Sequence, residues 1–314
     1  MLWQDAQNLI SNISLCDDNK YIKFEITKEN IEQGNAVIAV KNPGGTIMWS
    51  WHIWVTNRNI YATVPIQTYP FSGTTQHTYN FMPVPLGWDD DILEQPNCPY
   101  YQWGRKDPLC PSDGTTSNED KTLYNSSGNL LDKTKTPEKT SGRVSTGTSI
   151  QNPTTFYYYA DSPYDWNSNT YYDYWNATNG DTQTMNDNEV VKTVYDPNPV
   201  GFKMPSPDAF TGFTNDGSNQ YTNSNWNVDD TNMENGYKFY TERWHRGSTD
   251  FWRANGCRKY DSGKLFAVGN GGYYLSAGPN SGADCFYLYF NSNSVLPRKY
   301  DSRANGSSVR PVSE

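Results

Sequence analysis

The chain has 314 residues, with 25 Lys plus Arg against 34 Asp plus Glu and a net charge of −9. That length can bury a sizeable core in one large domain or two ordinary ones, and the acidic balance opposes a phosphate backbone, which is bound through clustered cations, so a nucleic-acid partner is excluded. Only 35 % of residues are hydrophobic and the mean hydropathy is −0.84, so no apolar run is long enough to cross a bilayer and no membrane span is expected.

Aromatic residues make up 15 % of the chain, including 24 Tyr and 11 Trp. Aromatic side chains suit pleated surfaces, and the many Asn and Gly suit turns, so the fold class is mainly β with little helix. The same mixture is the composition of recognition loops, where Tyr gives rigid contact area and small polar residues adapt.

Taken in chain order, residues 5–11 predict a turn or two of helix. Tyr21-Ile22-Lys23-Phe24-Glu25-Ile26 alternates as a strand, and Ala36-Val37-Ile38-Ala39-Val40 is a buried run. Asn42-Pro43-Gly44-Gly45 is a turn, and residues 46–55 form a second apolar strand, giving a hairpin with a Trp-rich core face. A boundary is expected near Phe81-Met82-Pro83-Val84-Pro85, which makes 1–85 an N-terminal β-rich, Ig-like or sandwich-like region. Residues 86–314 would form a second domain with α+β character. Within it, residues 112–190 read as a polar insertion too long for a simple connection, packing through clusters such as Phe156-Tyr157-Tyr158-Tyr159. From Val190 onward, Gly-rich turns separate short aromatic strands, among them Tyr273-Tyr274-Leu275-Ser276 and Cys285-Phe286-Tyr287-Leu288-Tyr289-Phe290.

Catalytic signatures are absent. The three histidines, His52, His77 and His245, make no HExxH or HxH motif, and no nucleophile elbow, P-loop or dinucleotide fingerprint occurs. His52 reads as a packed structural residue. Asp89-Asp90-Asp91 offers hard oxygen ligands without the alternating spacing of a Ca²⁺ loop, and reads as a solvated turn. The five cysteines, Cys16, Cys98, Cys110, Cys257 and Cys285, have no CxxC spacing. Cys98 and Cys110 either close a short loop as a disulfide or stay free, and Cys257 and Cys285 read as structural thiols rather than an oxidase centre. No metal, no cofactor and no enzymatic reaction are expected. The first residues carry no basic and apolar leader pattern, so export would depend on a signal outside this stretch, or the protein belongs to a phage particle.

Three segments carry a resemblance that spans roughly residues 88–314. They are Tyr100-Tyr101-Gln102-Trp103-Gly104-Arg105-Lys106-Asp107-Pro108, Tyr195-Asp196-Pro197-Asn198-Pro199-Val200-Gly201-Phe202-Lys203-Met204-Pro205, and Tyr287-Leu288-Tyr289-Phe290-Asn291-Ser292 with its closing Ser308-Val309-Arg310-Pro311-Val312. Together they resemble Bacteroidales surface proteins whose C-terminal module has a C-type lectin-like fold, similar to the Fibrobacter major paralogous domain and to the variable proteins of diversity-generating retroelements. Two positions depart from that pattern. Asn198 stands where relatives carry Cys, and Leu275 where they carry Trp.

The resemblance implies a fixed framework with an interleaved variable region over about 251–312. The corresponding ligand-facing positions are Lys259, Tyr260, Asp261, Lys264 and Phe266; Asn270, Tyr273 and Leu275; Asn280, Asp284, Cys285 and Phe286; and Arg298, Lys299, Tyr300 and Asp301. These side chains are expected on one exposed face, with Val268, Leu288, Phe290 and Val309 buried. Tyr260, Phe286 and Tyr300 would be anchors, and Lys259, Lys264, Arg298 and Lys299 a cationic rim suited to anionic glycans. The closing strand is expected to pair near residues 101–103. The implied function is ligand binding or adhesion at the cell surface, with a protein or glycan ligand. The alternatives are a fimbria- or pilus-associated subunit and, from the enzyme class, an oxidase or hydrolase on the same fold.

Overall fold

A computed structural model describes residues 1–70, 74–89, 97–169, 171–180, 185–280 and 282–314. Strand makes up 38 % and helix 6 %, so the chain is mainly β.

The first strand, β1 (Trp3–Gln4), leads into a hairpin of β2 (Ser11–Cys16) and β3 (Tyr21–Glu25). Residues 5–10 form turns, not the expected helix. Asp5 is the reason: its carboxylate accepts from the Asn35 backbone N–H at 2.5 Å and from Asn35 Nδ2 at 2.8 Å, committing the segment to a cross-strand anchor. Strands β4 (Gly34–Lys41) and β5 (Ile47–Val55) pair antiparallel across the Asn42 turn, and β1 lies on the other side of β4. The Asn42 side chain closes that turn by accepting from the Thr46 N–H at 2.9 Å. The tryptophans of β5 do not form one core face. Trp54 packs on Val84, Trp88 and Cys98, whereas Trp51 is exposed and lines a shallow groove with Ile53, Ile22 and Phe24.

Strands β6 (Val64–Gln67) and β7 (Thr78–Phe81) form the next hairpin, and a short β8 (Tyr101–Gln102) follows. In the insertion, β9 (Glu138–Ser141) and β10 (Thr155–Tyr158) pair in parallel around helix α1 (Thr146–Gln151), whose Ser145 cap accepts from the Thr148 N–H at 3.1 Å. The insertion is held by buried aromatics, as its sequence demands: Phe156, Tyr157, Trp166, Tyr174 and Trp175 all lie inside.

Strand β11 (Phe202–Lys203) precedes a buried 3₁₀ helix, Pro207–Phe213. Then come the hairpin β12 (Gly236–Glu242) and β13 (Arg246–Arg253), and the short pair β14 (Cys257–Arg258) and β15 (Leu265–Phe266). Three long strands, β16 (Gly271–Pro279), β17 (Asp284–Asn291) and β18 (Ser294–Ser302), form an antiparallel sheet in chain order. Two short strands close the chain, β19 (Gly306–Ser307) and β20 (Val312–Ser313).

The three-stranded sheet has core on both faces. Tyr274, Leu288, Phe290 and Val295 face a cluster with Phe210, Phe239 and Trp252. Leu275, Ala277, Cys285 and Tyr287 face another with Trp103, Tyr174 and Trp175. A two-sided sheet reads as a continuous apolar run, which explains the unbroken stretch 285–288.

The expected division at residue 85 does not follow the sheets. Val312 of β20 pairs with Phe81 of β7 and with Lys203 of β11, so the sheet order β11-β20-β7-β6 draws residues 64–81 into the C-terminal body. The closing segment runs close to its expected track, with a shift. Gly306 and Ser307 pair with Gln102 and Tyr101, while residues 308–312 bond instead to β16 and to residues 82–86, through Leu275 N to Ser308 O and Leu86 N to Val309 O.

Candidate functional site

The sixteen implied ligand positions sort by the register of the sheet. Tyr300 lies opposite Phe286, and Lys299 and Asp301 lie opposite Tyr287 and Cys285. Because cross-strand partners share a face and neighbours alternate, Asp284, Phe286 and Tyr300 take one face and Tyr273, Leu275, Cys285, Lys299 and Asp301 take the other. A single shared face is therefore a correction to the expectation. Leu275, Cys285 and Phe286 are also buried, because both faces of this sheet carry core and only its margin reaches solvent. Val268, Leu288, Phe290 and Val309 are buried.

Seven of the sixteen positions, Lys259, Asp261, Lys264, Phe266, Tyr273, Lys299 and Asp301, gather beside the sheet margin. The turn between β14 and β15 carries Lys259, Tyr260, Asp261 and Lys264, closed by a hydrogen bond from Lys259 N to Lys264 O at 3.0 Å. Lys259 pairs with Asp261 at 2.9 Å and lies 5.8 Å from the ring of the exposed Phe266. On the sheet side, Tyr273 stacks on Tyr287 and tilts against Tyr289, with centroids 6.1 and 4.8 Å apart. The Tyr287 hydroxyl donates to Asp301 Oδ2 at 3.3 Å. The buried thiol of Cys257 joins the two halves. It is pushed up to about 12, chiefly by burial, and Asp301, Tyr273, Lys259 and Asp261 are all close enough to perturb it.

This shelf of Lys259, Asp261, Phe266, Tyr273, Lys299 and Asp301, with Tyr289 beside it, mixes aromatic, cationic and anionic groups over a rigid base. Burial holds the Tyr273 phenol far above its ordinary range, with Cys257 and Tyr289 adding to the shift, so it stays a neutral hydrogen-bonding group. The pairing with Lys259 lowers Asp261, keeping that side charged.

Other positions lie apart. Tyr260 stands edge-on to Tyr164 at 5.6 Å and takes its place against Tyr157 and Trp166 of the insertion and against Ala304. Arg298 is bonded through its backbone to Asn219, Asn280 closes the turn before β17 by its N–H to Asp284 O, and Asn270 is exposed after β15.

The remaining polar candidates are structural. His52 Nε2–H donates to Asn35 Oδ1 at 2.8 Å and its Nδ1 accepts from the Tyr101 hydroxyl at 3.1 Å, and burial pushes it down to about 4. Asp89 is not a solvated turn residue: its side chain is buried against Lys121 at 2.5 Å, and burial with Asp5 nearby pushes it up to about 8. Asp90 and Asp91 lie outside the described residues. All five cysteines are free thiols, Cys98 and Cys110 included, and Cys257 and Cys285 are both buried with raised thiols. Among the described residues no three His, Cys, Asp or Glu side chains group to hold a metal, and no helix is long and apolar enough to cross a membrane.

An open cleft on the insertion, formed by Tyr171, Tyr174 and Tyr195, was not singled out by sequence. Its only textual signal is the aromatic run at 171–175, which reads equally as packing. Compared with known families, curated proteins and solved structures, the chain matches none.

Proposed function

We propose that the protein is a ligand-binding or adhesion protein that presents the shelf around Lys259, Phe266, Tyr273 and Asp301 on a C-type lectin-like scaffold, and that it catalyses no reaction. The observation that carries this reading is the convergence around Cys257 of charged and aromatic side chains from separate elements, held by internal pairs and left partly exposed. Recognition surfaces need such a mixture over a rigid base, and cores do not. The pairing of β8 with β19, which brings both ends of residues 101–307 together, supports the lectin-like scaffold. The resemblance in the three segments supports a cell-surface or phage-particle setting and a diversified surface.

Two measurements test it. Sequencing the gene across a population should find substitutions concentrated at the exposed shelf codons and rare at Val268, Leu288 and Val309. Arrays of anionic glycans and extracellular proteins, probed with the full chain, should give a saturable ligand whose binding falls in a Lys259→Ala, Phe266→Ala double variant. Even variation along the chain, together with binding unchanged in that variant, would refute the reading.

A further inference from the structure

The cleft on the insertion is a second surface, independent of the shelf. It has a volume of about 420 Å³ and lies among Thr146, Asn169, Tyr171, Asp173, Tyr174 and Tyr195, a size within the range of small-molecule sites. Tyr174 forms the base. It is buried, stands edge-on to Trp103 at 6.3 Å, and its hydroxyl is fixed at 2.6 Å by both Thr146 Oγ1 and Asn167 Nδ2. Tyr171 and Tyr195 each stand at 84° to that ring, 6.1 and 5.5 Å away. Tyr195 is backed by Trp49 at 6.5 Å, while Tyr171 is 57 % exposed. The walls are thus positioned before any ligand arrives, which limits the ordering cost of binding.

The polar groups at the rim are unspent. The Asn169 amide and the Asp173 carboxylate make no side-chain hydrogen bond among the described residues, although both line the cleft. No Lys or Arg lines it among the described residues. A ligand must therefore offer an apolar face to a tyrosine ring and hydroxyl donors to a carboxylate and an amide oxygen, and it must not be an anion that Asp173 would repel. A pyranose ring has that anatomy, with C–H bonds on its face and hydroxyls around its edge.

We propose that this cleft binds a neutral hexopyranose unit of a glycan, stacked on Tyr171 or Tyr195 and hydrogen-bonded at its edge by Asp173 and Asn169. The test titrates the full chain with maltose, cellobiose, lactose, mannobiose and chitobiose, with sialyllactose as the anionic counterpart, read by calorimetry and by NMR of the aromatic side chains. At least one neutral disaccharide should bind saturably and shift tyrosine signals. Tyr171→Ala should weaken it by about tenfold or more. Asp173→Asn, which keeps the shape, should weaken it as well, with thermal melts confirming that both variants fold. No binding by any neutral sugar, loss with Phe266→Ala on the shelf in place of Tyr171→Ala, or equal binding of sialyllactose would each overturn the proposal.

Discussion

Arg310 lays its guanidinium over the ring of Trp252, 4.2 Å from the ring centroid. The same group donates to the carbonyls of Met82 at 2.8 Å, Pro83 at 2.8 Å and Phe251 at 3.1 Å, and pairs with Asp250 at 2.7 Å. One buried side chain thus ties the chain's end to residues 82–83 and to β13. Arg310→Ala should destabilise the fold by about 3–5 kcal/mol, since it leaves a buried carboxylate and several carbonyls without their cation. Urea unfolding measures this, and a loss below about 1 kcal/mol would show that water replaces the guanidinium.

Deletion of residues 308–314 should cost more than that single cation. Ser308 is bonded on both backbone groups, to Tyr273 O and from Leu275 N, and Val312 lies between Phe81 and Lys203 in the centre of a sheet. The truncated chain should lose its near-UV circular dichroism and its cooperative melt. Retention of both would mean that the closing segment only decorates a finished core.

What sequence made legible follows from how local each signal is. The β5 strand, the Asn42 turn and the strand at 284–291 were readable because hydrophobic runs and turn residues act within a few positions. The buried state of Leu275 and Cys285 was not, because a second cluster, built from Trp103, Tyr174 and Trp175, covers that face from far away in the chain. The helix expected at 5–11 failed for the same kind of reason: Asp5 is held by Asn35, a partner that no local propensity reports. The cleft was missed because Tyr174 in the core and Tyr171 in solvent are three residues apart in one aromatic run.

Stability should rise as pH falls from about 8 to about 5. Burial pushes Asp165, Asp196 and Asp208 each up to about 6 and Asp89 up to about 8, whereas in the unfolded chain they titrate near the ordinary value of about 4. Across that window the folded state holds protons that the unfolded state has released, so acidification favours folding. His52 acts in the opposite sense, because its folded value of about 4 lies below the ordinary value of about 6.5, as does the Met1 amino group, lowered by burial, but the raised carboxylates, Asp250 and Asp284 among them, outnumber these two. Calorimetric melting temperatures at about pH 5, 6, 7 and 8 check the trend, and a maximum at the alkaline end would contradict it.

The thiols should react in two classes. Cys98, Cys110 and Cys257 are each pushed up to about 12 by burial, and burial also holds Cys285 well above its ordinary value. Cys16 alone is partly exposed. Since the thiolate is the reactive form, a disulfide reagent near neutral pH should modify Cys16 rapidly in the folded protein and all five cysteines after denaturation. Rapid modification of Cys98 or Cys257 in the folded state would show that the core around them opens.

Two glycines with the same backbone geometry separate conformational strain from steric crowding behind the cleft. Gly45 and Gly104 both have φ of +85°, but a Cβ at Gly45 meets nothing within 4 Å, whereas at Gly104 it comes within 2.8 Å of the Tyr174 ring. Gly45→Ala should therefore cost only the left-handed backbone penalty, about 1–2 kcal/mol. Gly104→Ala adds displacement of a ring whose hydroxyl is bonded to Thr146 and Asn167, so its loss should exceed that of Gly45→Ala by about 1–3 kcal/mol. The crowding should also move the NMR signals of Tyr171 and Tyr195, which pack edge-on to that ring. Equal losses for the two variants, with those signals unmoved, would mean that Tyr174 yields freely and is no fixed base for the cleft.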